Sequence, residues 1–380
     1  MKHKCTLMKM TTLALLLLLS SFVVYSGGAE AGGTLPDWKL VDTNPEVARW
    51  SMAMAYDSDR QVVVMFGGRD GNAPLGDTWE YDGNSWHCVT TSNAPAPRFW
   101  HSMAYDSARQ RTVLFGGFNL PTCFGDTWEY DGNDWQQIIT LHSPPAMSEM
   151  SMVYDSCRNR IVLFGGEAHG VEYPDTWEYD GGDWTKVSTS TSPPRGTLGA
   201  MVFDSSRCKV VFFGSGVVGD PGPSDCDTWE YDGITWTRVY PAASPLGRWA
   251  HAMAYDAARQ RTVLFGGYGP TYPSGSGLDD TWEYDGINWT PMSVPISPAA
   301  RQQHGMVYDS GRGCVVMFGG TAGRDETWEY VPPPPPPPPV EVGGTVYPVD
   351  KLTMLAPWIT LVAVLILGTI LAVNRRRVRS

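Results

Sequence analysis

The chain has 380 residues, 42% hydrophobic and 18% charged, enough for one large domain or two ordinary ones with a buried core, so a wholly disordered protein is excluded. Its 41 glycines, 30 prolines, 16 tryptophans and 17 tyrosines favour short strands and tight turns over an all-helical fold, because glycine and proline interrupt helical hydrogen bonding. The net charge of -12 understates an acidic body, since bases cluster in both tails; such a body repels phosphate backbones and excludes nucleic acid as a partner.

At the N-terminus, Lys2, His3, Lys4 and Lys9 precede the apolar run from Leu13 to Val24, and Ala29-Glu30-Ala31 offers small residues for cleavage. Residues 1–31 therefore read as a secretory signal.

One pattern then recurs six times between residues 36 and 331. The second copy reads PRFWHSMAYDSARQRTVLFGG, a variable loop, then DTWEYDGNDWQQI. Its glycine position falls at Gly67, Gly116, Gly165, Gly214, Gly266 and Gly319, and the following tryptophan at Trp79, Trp128, Trp177, Trp229, Trp282 and Trp328, spaced 46 to 53 residues apart. A period near 50 with four short strands per unit predicts an all-β, six-bladed propeller. Within a unit, HSMAYD and RTVLFGG flank a polar turn and form an inner hairpin, while TWEY, an Asp-Gly turn and a tryptophan strand form an outer one. The sixth copy stops after Tyr330 and Val331, where eight prolines begin. Its missing strand resembles Pro36-Asp37-Trp38-Lys39-Leu40-Val41, so the N-terminal strand is expected to complete the last blade and close the ring.

The apolar strand ending in Gly-Gly, the spaced Trp and Tyr, and the final Trp resemble kelch repeats, with Gly214-Ser215 departing from the doublet in blade four. The resemblance implies a kelch-type propeller over residues 36–331. It leaves function open, since that family includes binding scaffolds, sugar-acting enzymes and a copper oxidase.

Beyond the propeller, the proline tract predicts an extended stalk over residues 332–354. Residues 355–373 carry no charge and at about 1.5 Å per residue span roughly 28 Å, the length of one transmembrane helix. Arg375, Arg376, Arg377 and Arg379 follow, which places residues 374–380 in the cytoplasm and the propeller outside the cell membrane. This end resembles C-terminal anchors of archaeal surface proteins.

Asp-x-x-Arg occurs in every copy, from Asp57/Arg60 to Asp309/Arg312; a pair needed six times serves the blade, with Asp capping its turn. The acids before each Thr-Trp (Asp77, Asp126, Asp175, Asp227, Asp280, Glu326) begin third strands too far apart to share an ion. Departures from sameness stand on the loops entering the first strands: Arg49, Trp50, Arg98, Trp100, His101, Arg195, Arg248, Trp249, His251, Arg301 and His304. Arginine with tryptophan suits a sugar ring, a carboxylate or a peptide; the competing reading has the arginines tying blades through carbonyls. In kelch-like propellers these loops share a face with those joining second and third strands, here bearing Phe118, Phe124, Tyr173, Tyr268 and Tyr272.

His101, His251 and His304 come without a metal-ligand spacing, and no nucleophile motif or cofactor signature accompanies them. The cysteines suggest no pairing by position. The expectation is a surface-tethered module binding an extracellular glycan, peptide or protein, without cofactor or metal. The rivals are a sugar-acting epimerase or oxidase and a structural envelope component.

Overall fold

In a computed structural model of the chain, the described residues are 36–71, 73–194, 196–216, 225–269 and 277–331. The expected signal, stalk, apolar span and basic tail lie outside them, as does Tyr272. No helix among the described residues is long and apolar enough to cross a membrane.

Six four-stranded antiparallel sheets form the body. In blade one the strands are Ala53–Asp57, Val62–Phe66, Thr78–Tyr81 and Trp86–Val89, running outward in that order. Each innermost strand adjoins the next blade's, and the sixth, Gly305–Asp309, returns to the first. Second strands such as Val62–Phe66 are continuously apolar because both faces of a blade are covered by neighbours, so alternation disappears there. Val63, Val64, Met65 and Phe66 are fully buried.

The expected closure is present. Asp37–Thr43 lies antiparallel to Glu326–Val331 with Trp38 opposite Tyr330, giving the sixth blade its outer strand. The same closure is written in side chains. Each outer-strand tryptophan donates its indole N–H to the third-strand threonine of the preceding blade at 2.8–2.9 Å: Trp86 to Thr327, Trp135 to Thr78, Trp184 to Thr127, Trp236 to Thr176 and Trp289 to Thr228. Trp38 completes the circuit on Thr281 at 2.9 Å.

The Asp-x-x-Arg turns do more than cap. Asp57 accepts from the Asp59 and Arg60 amides through one carboxylate oxygen and from Arg60 Nε through the other, while Arg60 reaches Glu80 at 2.7 Å. The guanidinium lies over Tyr130 of the next blade, whose hydroxyl donates to Glu80 at 2.9 Å. Equivalent Arg–Tyr contacts recur around the ring, from Arg109 on Tyr179 to Arg312 on Tyr81. Partly buried and shared between blades, these relays bind more firmly than isolated surface ion pairs. Between the turns of blades three and four, Cys157 and Cys208 form a disulfide with Cα atoms 6.0 Å apart, a pairing that sequence spacing left open.

Candidate functional site

At the loop face each entering segment turns sharply into its innermost strand. The residues at that turn are Ser51, Trp100, Glu149, Leu198, Ala250 and Gln303, all left-handed with φ between 53° and 64°. Such a conformation costs a non-glycine residue roughly 1 kcal/mol or more, so it needs compensation. The compensation is a closed circle of backbone hydrogen bonds: Ser51 N–H to Gln303 O, then Trp100 to Ser51, Glu149 to Trp100, Leu198 to Glu149, Ala250 to Leu198 and Gln303 to Ala250, at 2.7–3.0 Å. One residue per blade thus closes around the propeller axis, and these six positions differ in every blade.

In five blades the next residue wedges against its predecessor's glycine (Met52, His101, Met150, His251 and His304), while blade four has Gly199 there and Gly165 is met by Gly196 instead. The three histidines are 5–6% exposed and pack edge-on to Phe66, Phe213 and Phe265. No ring nitrogen among them makes a hydrogen bond of good geometry. Burial is the chief reason His101 is held down to about 3, with the Arg98 charge adding to it and the Phe66 carbonyl only partly opposing. His304 is held to about 3 by burial and then Arg301, and His251 well below its ordinary value by burial, Arg248 and His304. They are neutral imidazoles, and no group of three or more His, Cys, Asp or Glu among the described residues could hold a metal.

These two tiers line an open axial cavity of about 120 Å³, bordered among others by Ser51, Trp100, His101, Glu149, Leu198 and Gln303. Sequence reasoning passed over Glu149. The clue was available, because blade three carries Met147 where four blades have arginine at Arg49, Arg98, Arg248 and Arg301. Glu149 is 7% exposed. Burial first, then the charges of Glu167 and Glu172, push its carboxyl up to about 8.

Outside the cavity, aromatic residues of the entering loops meet the loops joining second and third strands. The Trp50 ring lies under the guanidinium groups of Arg324 and Arg69, at 4.2 and 5.5 Å. Trp100 touches Phe99 and Phe118, and Trp249 packs on Tyr268 at 4.9 Å. Trp249, Leu198 and Ala250 form one buried cluster against which Trp100 packs, so the two tryptophans contribute to a shared apolar wall rather than to separate platforms.

The arginines behave otherwise. Arg98 is fully buried; its Nε donates to Ala96 O, and its remaining nitrogens bond to Gly116 O and both oxygens of Asp126 at 2.6–2.9 Å. Arg49 grips Asp77 and Arg248 grips Asp280 in the same way, and Arg301 holds Glu326. These guanidinium donors are spent on partners within their own blades. In blade three, with no arginine at this position, Asp175 pairs instead with Lys186 at 2.9 Å. Arg195 lies outside the described residues.

The comparisons agree with this architecture. Residues 34–214 match a family model described as the KLHDC2/KLHL20/DRC7 Kelch-repeats domain. A solved structure titled "Structure of YjhT" is similar with a TM-score of 0.58 and 16% identity, over 76% of this chain and 95% of that one. That likeness speaks to the fold alone. No curated protein matches the chain. The observed closure makes the described body a six-bladed propeller, and residues 34–214 match kelch repeats.

Proposed function

We propose that the chain is a cell-surface-tethered propeller that binds an extracellular glycan, peptide or protein at its loop face and performs no chemistry there. The observation that carries this reading is the contrast in polar satisfaction. The repeated charged groups hold ion-pair partners, though one guanidinium nitrogen each of Arg109, Arg158, Arg207 and Arg259 makes no hydrogen bond. Around the axis Ser51 Oγ and Trp100 Nε1 have no hydrogen-bond partner among the described residues, nor has His251, while the His101 and His304 rings are met only by the Phe66 and Phe265 carbonyls. Buried polar groups left unpaired beside a cavity and an aromatic rim are what a ligand or water would satisfy. Tethering rests on the sequence: the signal, the proline stalk, the uncharged span and the terminal arginines.

Two measurements test the reading. Protease applied to intact cells should release a soluble propeller by cutting between Val340 and Leu352; a propeller protected in the cytoplasm would overturn the topology. The released body should select members of a glycan or peptide array, and an array without a reproducible hit removes the binding role. The enzyme reading, a sugar epimerase for instance, is favoured by one observation, the buried Glu149 carboxyl pushed up to about 8 in the cavity. It requires turnover of a bound sugar, which hydrogen–deuterium exchange at the sugar carbons would reveal.

A further inference from the structure

Resting on the binding reading, we infer that the axial cavity accepts an uncharged, hydroxyl-bearing terminal group, the end of a neutral sugar chain, with the Glu149 carboxyl as one of its hydrogen-bonding partners. The lining argues for a neutral ligand. The Ser51 hydroxyl, the Gln303 amide and the neutral imidazoles each combine donor and acceptor capacity, and Trp100 adds an indole donor. Ser51 and His101, both 5% exposed, have side-chain polar atoms without partners. A sugar hydroxyl also donates and accepts, so it can pair with such groups in either sense.

The rest of the wall is apolar: Met52, Met150, Leu198 and Ala250 line the same space. A pyranose presents C–H faces between its hydroxyls, and this mixture of apolar surface with a few convergent polar atoms is what its recognition requires. At about 120 Å³ the cavity far exceeds the ~10–15 Å³ needed by one water, yet is small enough to take a terminal group rather than a chain threaded through it.

Charge excludes the alternatives. No lysine or arginine lines the cavity, and the arginines behind it are bonded to Asp77, Asp126, Asp280 and Glu326, so an anion meets no free cation. A cation meets one lining carboxyl, Glu149, and no hydrogen bond among the described residues favours its ionised form. The charged groups acting on it, Glu167 and Glu172, further disfavour ionisation, and His101, His251 and His304 are neutral. At neutral pH the carboxyl therefore holds its proton and offers an O–H donor beside a carbonyl acceptor.

The decisive comparison is Glu149→Gln against Glu149→Ala in the full-length chain, titrated calorimetrically with methyl glycosides of glucose, galactose, mannose and N-acetylglucosamine, with glucosamine and a lysine-terminated peptide as cationic probes. A neutral glycoside should bind. E149Q, which keeps an uncharged donor and acceptor, should hold its affinity within about threefold and lose the weakening seen in the wild type above pH 8. E149A should weaken binding about tenfold or more, the loss expected when a buried hydrogen-bond partner is removed. Thermal unfolding of each variant shows that it is folded. Binding of the cationic probes alone, abolished in E149Q, overturns the inference, as does failure of every neutral glycoside at tens of millimolar. If an array-selected ligand binds E149A as tightly as the wild type, the cavity assignment falls while the binding role stands; if no ligand binds the intact face, both fall.

Discussion

The two faces of this propeller use the same repeat in opposite ways. On the hairpin-turn face five blades install the same relay, an aspartate, an arginine, a glutamate and the next blade's tyrosine, from Arg60–Glu80–Tyr130 to Arg259–Glu283–Tyr330. In the sixth, Arg312 pairs with Glu329 and lies over Tyr81, whose hydroxyl makes no hydrogen bond. At the loop face the backbone circle is equally regular, but its side chains are serine, tryptophan, glutamate, leucine, alanine and glutamine. Sixfold sameness builds the ring, because each blade faces the same packing problem. Where the backbone stays uniform and the side chains diverge, packing has stopped dictating identity, and a ligand is the natural remaining constraint.

The regular half can be broken most severely at its seam. Chains beginning at Gly33 and at Asn44 differ by the strand that closes blade six. The shorter chain should lose more than about 5 kcal/mol, since truncating a buried tryptophan such as Trp38 alone costs roughly 3–5 kcal/mol and the sheet edge it leaves is unpaired. Equal midpoints in thermal unfolding would remove the closure model. Next in size, replacing Cys157 and Cys208 by alanine frees a loop of 51 residues. Chain entropy puts the loss at about 4 kcal/mol, read from denaturant unfolding with and without reductant.

Arg98→Met separates the two halves more sharply. It strands Asp126 without its bidentate partner and should cost about 3 kcal/mol, somewhat less than a fully buried pair because the aspartate keeps some exposure. Affinity for an array-selected ligand should not change. A binding defect with unaltered stability would return the arginines to the ligand site.

Proton linkage sharpens the comparison further. The folded state keeps Glu149 protonated to about 8, against an ordinary value of 4.5. Its contribution is complete below 4.5 and drains away as the pH rises towards 8, by up to about 1.4 kcal/mol per pH unit. The buried histidines run the other way: stability present above 6.5 is lost as the pH falls towards 3. Glu149→Gln should therefore remove the loss of stability between about pH 4.5 and 8 and leave the curve below 4.5, where the histidines titrate, unchanged. Parallel curves for the two proteins would refute a buried neutral carboxyl.

Much of this was legible in the sequence because a repeat aligns against itself. Strand order, the closing strand and the structural role of Asp-x-x-Arg follow from comparing copies, and so does the relative position of every entering-loop residue. The alignment does not say which way a side chain points. Arg98 and Trp100 sit two residues apart, yet one is consumed by Asp126 and the other borders the cavity. Glu149 escaped notice because one glutamate gives no periodic signal, and its environment comes from residues 18 and 23 positions further on, Glu167 and Glu172. The Cys157–Cys208 bridge was hidden for a related reason: equivalent turns of neighbouring blades lie together only once the ring is closed.

The smallest expected effect concerns the one broken doublet, Ser215. In the other blades the second glycine has no room for a side chain: a Cβ at Gly117 would stand 2.8 Å from His101 Cβ, and one at Gly267 2.7 Å from His251 Cβ. Blade four has Gly199 at the wedge position, so that obstruction is gone, and Ser215 continues its strand to pair with Asp225 instead of turning left-handed. The lost wedge and the gained serine are two parts of one exchange, completed by the Phe212 ring, whose carbons lie 2.4 Å from where a Gly199 Cβ would be. Ser215→Gly should accordingly cost less than about 1 kcal/mol, the backbone-entropy penalty of glycine in a strand. Gly117→Ser, placing the same side chain at φ +105° against His101, should cost several times as much. Equal losses at the two positions, measured by denaturant unfolding, would break the exchange and leave the irregular doublet without a packing explanation.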